Sequence, residues 1–161
     1  GKAPFMPAEC QTQKDAEGPF YKADAPQRSI IETKGIPLLI EGRVLTGANC
    51  ETPVAQAIVD VWHCDDSGEY DLTGFKCRGQ IRTDSSGKYS FTTIFPPAYG
   101  SRPRHIHFKI RATGMKELTT QLYFQGDPQI KNDFAKNAVK ERVISLRSES
   151  SIKKGVFNII L

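Results

Sequence analysis

Phe95-Pro-Pro-Ala-Tyr99-Gly-Ser-Arg102-Pro-Arg104-His105-Ile-His107-Phe-Lys-Ile110 decides how the chain reads. From Arg104 to Ile110 polar and apolar residues alternate, the period of a half-buried strand. Residues two apart on a strand share a face. His105 and His107 then stand side by side, their Cα atoms roughly 6.5–7 Å apart at a rise of about 3.3 Å per residue. Two imidazoles so placed can converge on one metal ion or simply fill a polar strand face. Ile106, Phe108 and Ile110 occupy the opposite face and are expected in a core.

Outward from this segment the chain breaks into short apolar runs separated by turns. Leu38–Leu45 reads as a strand interrupted by Gly42, where a bulge or a close backbone approach is expected. Ala57–Trp62 is a largely apolar, central strand, with Trp62 in the core. Gly79–Thr83, Lys88–Ile94, Thr119–Phe124 and Val156–Ile160 complete the set, with turns at Thr46–Cys50, Asp65–Gly68, Asp84–Gly87 and Gly126–Pro128. Only Asn132–Asn137 reads as a short helix, and residues 1–20 read as an extended arm. The pattern predicts an all-β protein, a β-sandwich of short, mostly antiparallel strands with little helix.

At 161 residues the chain has room for one good core, so a single domain over 1–161 is expected. No run of about 18 apolar residues occurs, which predicts no membrane-spanning helix. The net charge of +4 is scattered among acids, without the basic stripe and interleaved aromatics of a nucleic-acid binder. Gly1–Phe5 lack the apolar core of a signal peptide, which a mature or trimmed chain would lack as well. Four cysteines, Cys10, Cys50, Cys64 and Cys77, contain no CxxC pair. An even count in a small chain fits two disulfides and a secreted protein better than four buried thiols. Cys10 lies on the arm and needs a tether, so Cys10–Cys50 is expected. Cys64 and Cys77 flank the Tyr70 loop, so Cys64–Cys77 is the second expectation.

The chemistry narrows by exclusion. No HExxH helix, GxSxG elbow or phosphate loop is present. Tyrosines lie near the histidine pair instead. Tyr99 precedes His105 by six residues, and Tyr70 follows an Asp-Ser-Gly turn that can aim it inward. A phenol becomes a ligand only once a strong cation removes its proton. Two phenolates with two imidazoles would suit iron(III) better than zinc or iron(II). Tyr70 and Tyr99 read equally well as ligands or as packed strand residues. Tyr89 and Tyr123 read as sheet packing. A zinc or copper site on His63, His105 and His107 is a competing arrangement.

The chain resembles the intradiol ring-cleavage dioxygenases of the catechol and protocatechuate type. The resemblance is carried in order by Glu17-Gly-Pro-Phe-Tyr21, Gly35-Ile-Pro-Leu-Leu39, Ala57-Ile-Val-Asp-Val-Trp-His-Cys-Asp65, Gly68-Glu-Tyr70, Arg78-Gly79, Thr83–Tyr89, Arg102-Pro-Arg-His-Ile-His-Phe108 and Thr120-Gln-Leu-Tyr-Phe-Gln-Gly-Asp-Pro128. It implies a β-sandwich holding non-haem Fe(III) on Tyr70, Tyr99, His105 and His107. It also implies cleavage of catechols by O2 between the hydroxyl-bearing carbons, giving cis,cis-muconate-type products. Tyr99 would be the displaceable ligand that accepts a catechol proton. Arg102 would steady charge on the bound catechol, and Gln121 would lie near the same carbon. Asp65 and Tyr21 are candidates for lining the pocket, Asp65 also being a turn former. His63 reads as structural or as lying just behind the site. Tyr99 sits closer to the histidine pair than in the larger bacterial enzymes, and no long helical N-terminal segment is seen. Both features resemble small extracellular members of the family, which implies a secreted monomer.

Overall fold

The computed structural model describes residues 9–161. Eleven strands follow in chain order: β1 Pro37–Thr46, β2 Thr52–Pro53, β3 Ile58–Trp62, β4 Arg78–Arg82, β5 Lys88–Ile94, β6 His105–Arg111, β7 Leu118–Phe124, β8 Val143–Ile144, β9 Arg147–Glu149, β10 Ile152–Val156 and β11 Ile159–Ile160. They form two sheets. One has the order β4-β3-β6-β7-β8; the other is built around β1, which pairs with β2, β5, β10 and β11, while β9 adds to β10. Most pairs are antiparallel, but β1–β10, β1–β11 and β7–β8 are parallel. The all-β sandwich is borne out. Among the described residues no helix is long and apolar enough to cross a membrane.

Alternation within each strand sorts side chains between core and site. Ile106, Phe108 and Ile110 of β6 are fully buried, joined by Val59 and Val61 of β3 and Leu122 of β7. They pack with Leu38, Ile40 and Val44 of β1, Phe91 of β5 and Phe157 in one hydrophobic cluster. The opposite face of the five-stranded sheet is polar yet also buried, because the segment before β1 crosses it. Asp15 N–H donates to Thr119 O, Gln121 Nε2 to Ala16 O, and Arg78 Nη1 to Phe20 O. Lys109 pairs with Glu17. The described part of the expected arm is therefore extended but tightly docked, and it roofs the outer sheet face.

Three expectations need correction. The closing strand expected over Val156–Ile160 is two strands, Ile152–Val156 and Ile159–Ile160. Both pair with β1 in the same register, and β1 runs unbroken through Gly42. A Cβ on Gly42 would meet Phe157 O at 1.9 Å, which is the close approach anticipated there. Gly42→Ala is expected to destabilise by about 3 kcal/mol, the upper end of ordinary overpacking, measured as a lowered urea midpoint; an unchanged midpoint would contradict this packing. The short helix over Asn132–Asn137 is replaced by 3-10 turns at Ile130–Asn132, Phe134–Asn137 and Lys140–Arg142. Asp133 interrupts the first two in an extended conformation, capping Ala135 N–H.

The third correction concerns the cysteines. Cys10–Cys50 is bonded, closing a span of 40 residues, a constraint worth about 4 kcal/mol in the chain-entropy model. Cys64 and Cys77 are buried free thiols. Their side chains point apart, Cys64 Sγ towards Pro97 O and Cys77 Sγ towards Glu32 Oε1. Burial pushes both thiols up, to about 11 and about 12. The Tyr70 loop is held by other means: Arg78 Nε and Nη2 donate to Asp71 O, and the Asp71 carboxylate accepts the Thr73, Gly74 and Lys76 amides.

Candidate metal centre

Strand register explains which side chains meet on the roofed face. His105 lies opposite Tyr123, and His107 opposite Gln121 on β7 and opposite Trp62 on β3. Alternation then places His105, His107, Gln121, Tyr123 and Trp62 on one surface. The loop after β3 folds Tyr70 over that surface, and the loop after β5 brings Tyr99 beside it.

Three atoms converge. Tyr70 Oη lies 3.3 Å from His105 Nε2 and 3.2 Å from His107 Nε2. His105 Nδ1 donates to Pro103 O at 2.7 Å, which fixes the tautomer and turns the Nε2 lone pair towards Tyr70. Burial, opposed only by the Pro103 hydrogen bond and weaker charges, depresses His105 to about 4. Burial, reinforced by the His105 and Arg102 charges, also holds His107 well below its ordinary value. Both rings are therefore neutral near pH 7 and carry available lone pairs. Tyr70 shifts the other way, raised chiefly by burial. Its phenol stays protonated unless a cation is present to favour the anion.

The surroundings limit motion. Trp62 stacks on the His107 ring at 4.9 Å and 7°, and a Cβ on Gly18 would sit 3.4 Å from His107 Cε1. Gly18 has φ +72°, a conformation that favours glycine, and this lets the arm backbone lie against the imidazole. Phe20 stacks on Tyr70 at 4.3 Å and meets Tyr99 edge-on at 5.6 Å. Tyr99 lies edge-on to Tyr70, with ring centroids 5.3 Å apart. It joins the cluster through its ring, from a loop closed by Arg102 N–H donating to Tyr99 O.

This donor set fits a hard, highly charged cation and not the three-histidine arrangement. His63 is buried with Nδ1 donating to Cys64 O and Nε2 accepting from Thr93 Oγ1, both at 2.7 Å. Neither nitrogen is free to bind a metal, and burial lowers its pKa to about 4. Among the described residues no three His, Cys, Asp or Glu side chains cluster to hold an ion, so any site here must draw on tyrosine oxygen. His107 Nδ1 is buried without a hydrogen-bond partner, so its orientation is set by Trp62 and Gly18 packing.

Other expected residues fall in different roles. Gln121 is buried beside His107, but Nε2 donates to Ala16 O and Oε1 faces the Tyr123 hydroxyl. Asp65 does not line the centre: its carboxylate accepts the Ser67 and Glu69 amides and pairs with Lys76. Tyr21 lies behind Trp62, its ring 4.9 Å away and its hydroxyl donating to Asp60. Arg102 is at the centre, with Nη1 3.4 Å from His105 Nε2. Tyr123, expected as sheet packing, is a site neighbour instead. Its ring lies 6.3 Å from His105, and its hydroxyl accepts from Arg102 Nη2. The signal was present in β7: Gln121 and Tyr123 are two apart and must share a face.

A protein-family model described as Dioxygenase matches residues 15–161. Catechol 1,2-dioxygenase 2 of Acinetobacter lwoffii is 33% identical over 89% of this chain and 62% of its own length. Catechol 1,2-dioxygenase 1 of the same organism is 35% identical over 89% of this chain and 55% of its own. The chain thus spans little more than half the length of these curated relatives. The solved dioxygenase domain of a dioxygenase and carbohydrate-binding protein fusion from Streptomyces sp. SirexAA-E superposes with a TM-score of 0.87. It is 37% identical and covers 94% of this chain and 97% of that one. The 3-chlorocatechol 1,2-dioxygenase of Rhodococcus opacus 1CP follows with a TM-score of 0.82, 28% identity, and 95% and 74% coverage. With the family model running over nearly all the described residues and the histidine–tyrosine cluster on the same sheet face, the chain belongs to the intradiol ring-cleavage dioxygenase family.

Proposed function

We propose that this chain is a non-haem iron(III) dioxygenase that opens catechols between their two hydroxyl-bearing carbons. The observation that carries the reading is the convergence of Tyr70 Oη, His105 Nε2 and His107 Nε2 within 3.3 Å, with Tyr99 alongside. Tyr70, Tyr99, His105 and His107 would hold the metal. Bound iron(III) would supply Lewis acidity, favouring the catecholate and making the ring reactive towards O2.

The chain's own residues do the rest. Tyr99 is half-buried on a loop, so among the residues that would hold the metal it is the one that would be placed to take a proton from a catechol hydroxyl. Arg102 directs Nη1 at the His105 edge of the centre, where it meets negative charge developing on the bound ring. Phe20 and Gly18 close the roof over Tyr70 and His107 and limit water. Both oxygen atoms of O2 enter the product, so catechol and O2 balance cis,cis-muconic acid with no external reductant. The Cys10–Cys50 bond supports a protein that works in an oxidising, extracellular compartment. A monomer is the proposed state.

Iron(III)-loaded protein is expected to be red to burgundy, from tyrosinate-to-iron charge transfer, with a single iron per chain by metal analysis. Fully loaded but colourless zinc protein would contradict the reading. Oxygen uptake across catechol, 4-methylcatechol, protocatechuate, hydroxyquinol and chlorocatechols then ranks the substrates.

A further inference from the structure

Arg102 is held by more than its place in the sequence. Asp133 grips it from two sides, with Nε donating to Oδ2 at 3.2 Å and Nη2 to Oδ1 at 3.1 Å. The second Nη2 hydrogen goes to the Tyr123 hydroxyl at 3.1 Å. A guanidinium has five N–H donors in a rigid fork. These contacts occupy the three on Nε and Nη2 and leave only the Nη1 pair, which faces His105 Nε2. The guanidinium carbon of Arg102 lies over the Phe134 ring, 4.1 Å from the ring centroid. The clamp is partly shielded from solvent, the Asp133 side chain being 9% and the Arg102 side chain 20% exposed.

The clamp reaches the arm. The Tyr123 hydroxyl lies 2.9 Å from both Asp15 Oδ2 and Gln121 Oε1, which share its one proton. Asp15 is itself paired with the buried Arg142. We infer that Asp133 and Tyr123 are positioning residues that aim the free edge of Arg102 at the metal centre, and that Asp15 ties this aim to the docking of the arm. The inference rests on the reading of the centre as a catechol dioxygenase site. It also accounts for the break between the 3-10 turns, since the extended Asp133 reaches back to Arg102 while still capping Ala135.

The test is a double-mutant cycle on iron-loaded protein. Asp133→Asn keeps an acceptor for the Ala135 amide but turns an N–H₂ towards Arg102, so the 3-10 turn persists while the clamp opens. Tyr123→Phe removes only the hydroxyl and carries the test should Asp133→Asn fail to fold. Each is expected to lower kcat, Asp133→Asn by up to about 10²-fold, the cost of misplacing a reacting group by about 1 Å. Iron content, the visible band and KM for catechol should stay near wild type. In an Arg102→Ala background the same substitutions should cause no further loss, because they act through Arg102. A full additional loss in that background, or unchanged kcat in both single variants, would overturn the inference while leaving the dioxygenase reading intact. Red, iron-loaded wild-type protein that consumes no oxygen with any catechol would overturn the dioxygenase reading, and this inference with it.

Discussion

His107→Ala is expected to give a protein that folds but retains iron poorly and is pale after purification. His107 contributes one of the three convergent atoms, and it is held by Trp62 stacked on its ring and by the backbone of Gly18 close to its Cε1. Removing the ring would take away one of the proposed ligands. Loss of a mere outer partner of a metal ligand costs about 10–100-fold in metal affinity, so loss of the ligand itself should exceed that. Tyr70→Phe separates metal retention from electronic character. Phe keeps the stack on Phe20 but carries no oxygen. The variant should bind iron more weakly, shift and weaken the visible band, and lose most turnover. A His107→Ala protein as red and as active as wild type would remove His107 from the centre.

Arg102→Ala is expected to behave differently, leaving colour and iron in place and lowering kcat. Arg102 donates no ligand atom, and its only approach to the centre is through Nη1. If it stabilises charge that develops during reaction, its loss should cost about 10²–10³-fold in kcat, as for one oxyanion-hole donor, with less effect on KM. Arg102→Lys should restore little, because an ammonium cannot reproduce the fork that Asp133 and Tyr123 hold. An equal rise in KM with kcat unchanged would assign Arg102 to ground-state binding instead.

Much of this centre was legible before any coordinates. The alternation across β6 put both histidines on one face and Ile106, Phe108 and Ile110 on the other, because a strand with one core face allows no other register. Gly42 announced a close approach, and Phe157 supplies it. What sequence reasoning missed depends on non-local pairing. Tyr123 became a site residue only when β7 was set beside β6 with Tyr123 against His105. Asp133 fell inside the short helix expected over Asn132–Asn137, and its link to Arg102 spans 31 positions that no local pattern records. Cys64 and Cys77 flank a loop in sequence, but each thiol finds its own partner, Pro97 O and Glu32 Oε1, instead of the other. The arm, rich in Pro, Ala and Gln, read only as extended and in need of a tether; its described part is held by backbone groups and ion pairs whose partners lie on β6, β7 and the segment before β8.

The central claim is tested most directly by the product formed from catechol by iron(III)-loaded protein under ¹⁸O₂. The account predicts colourless cis,cis-muconate with label in the product carboxylates, one atom in each when solvent exchange is slow. A yellow semialdehyde, from cleavage beside the diol, would contradict it.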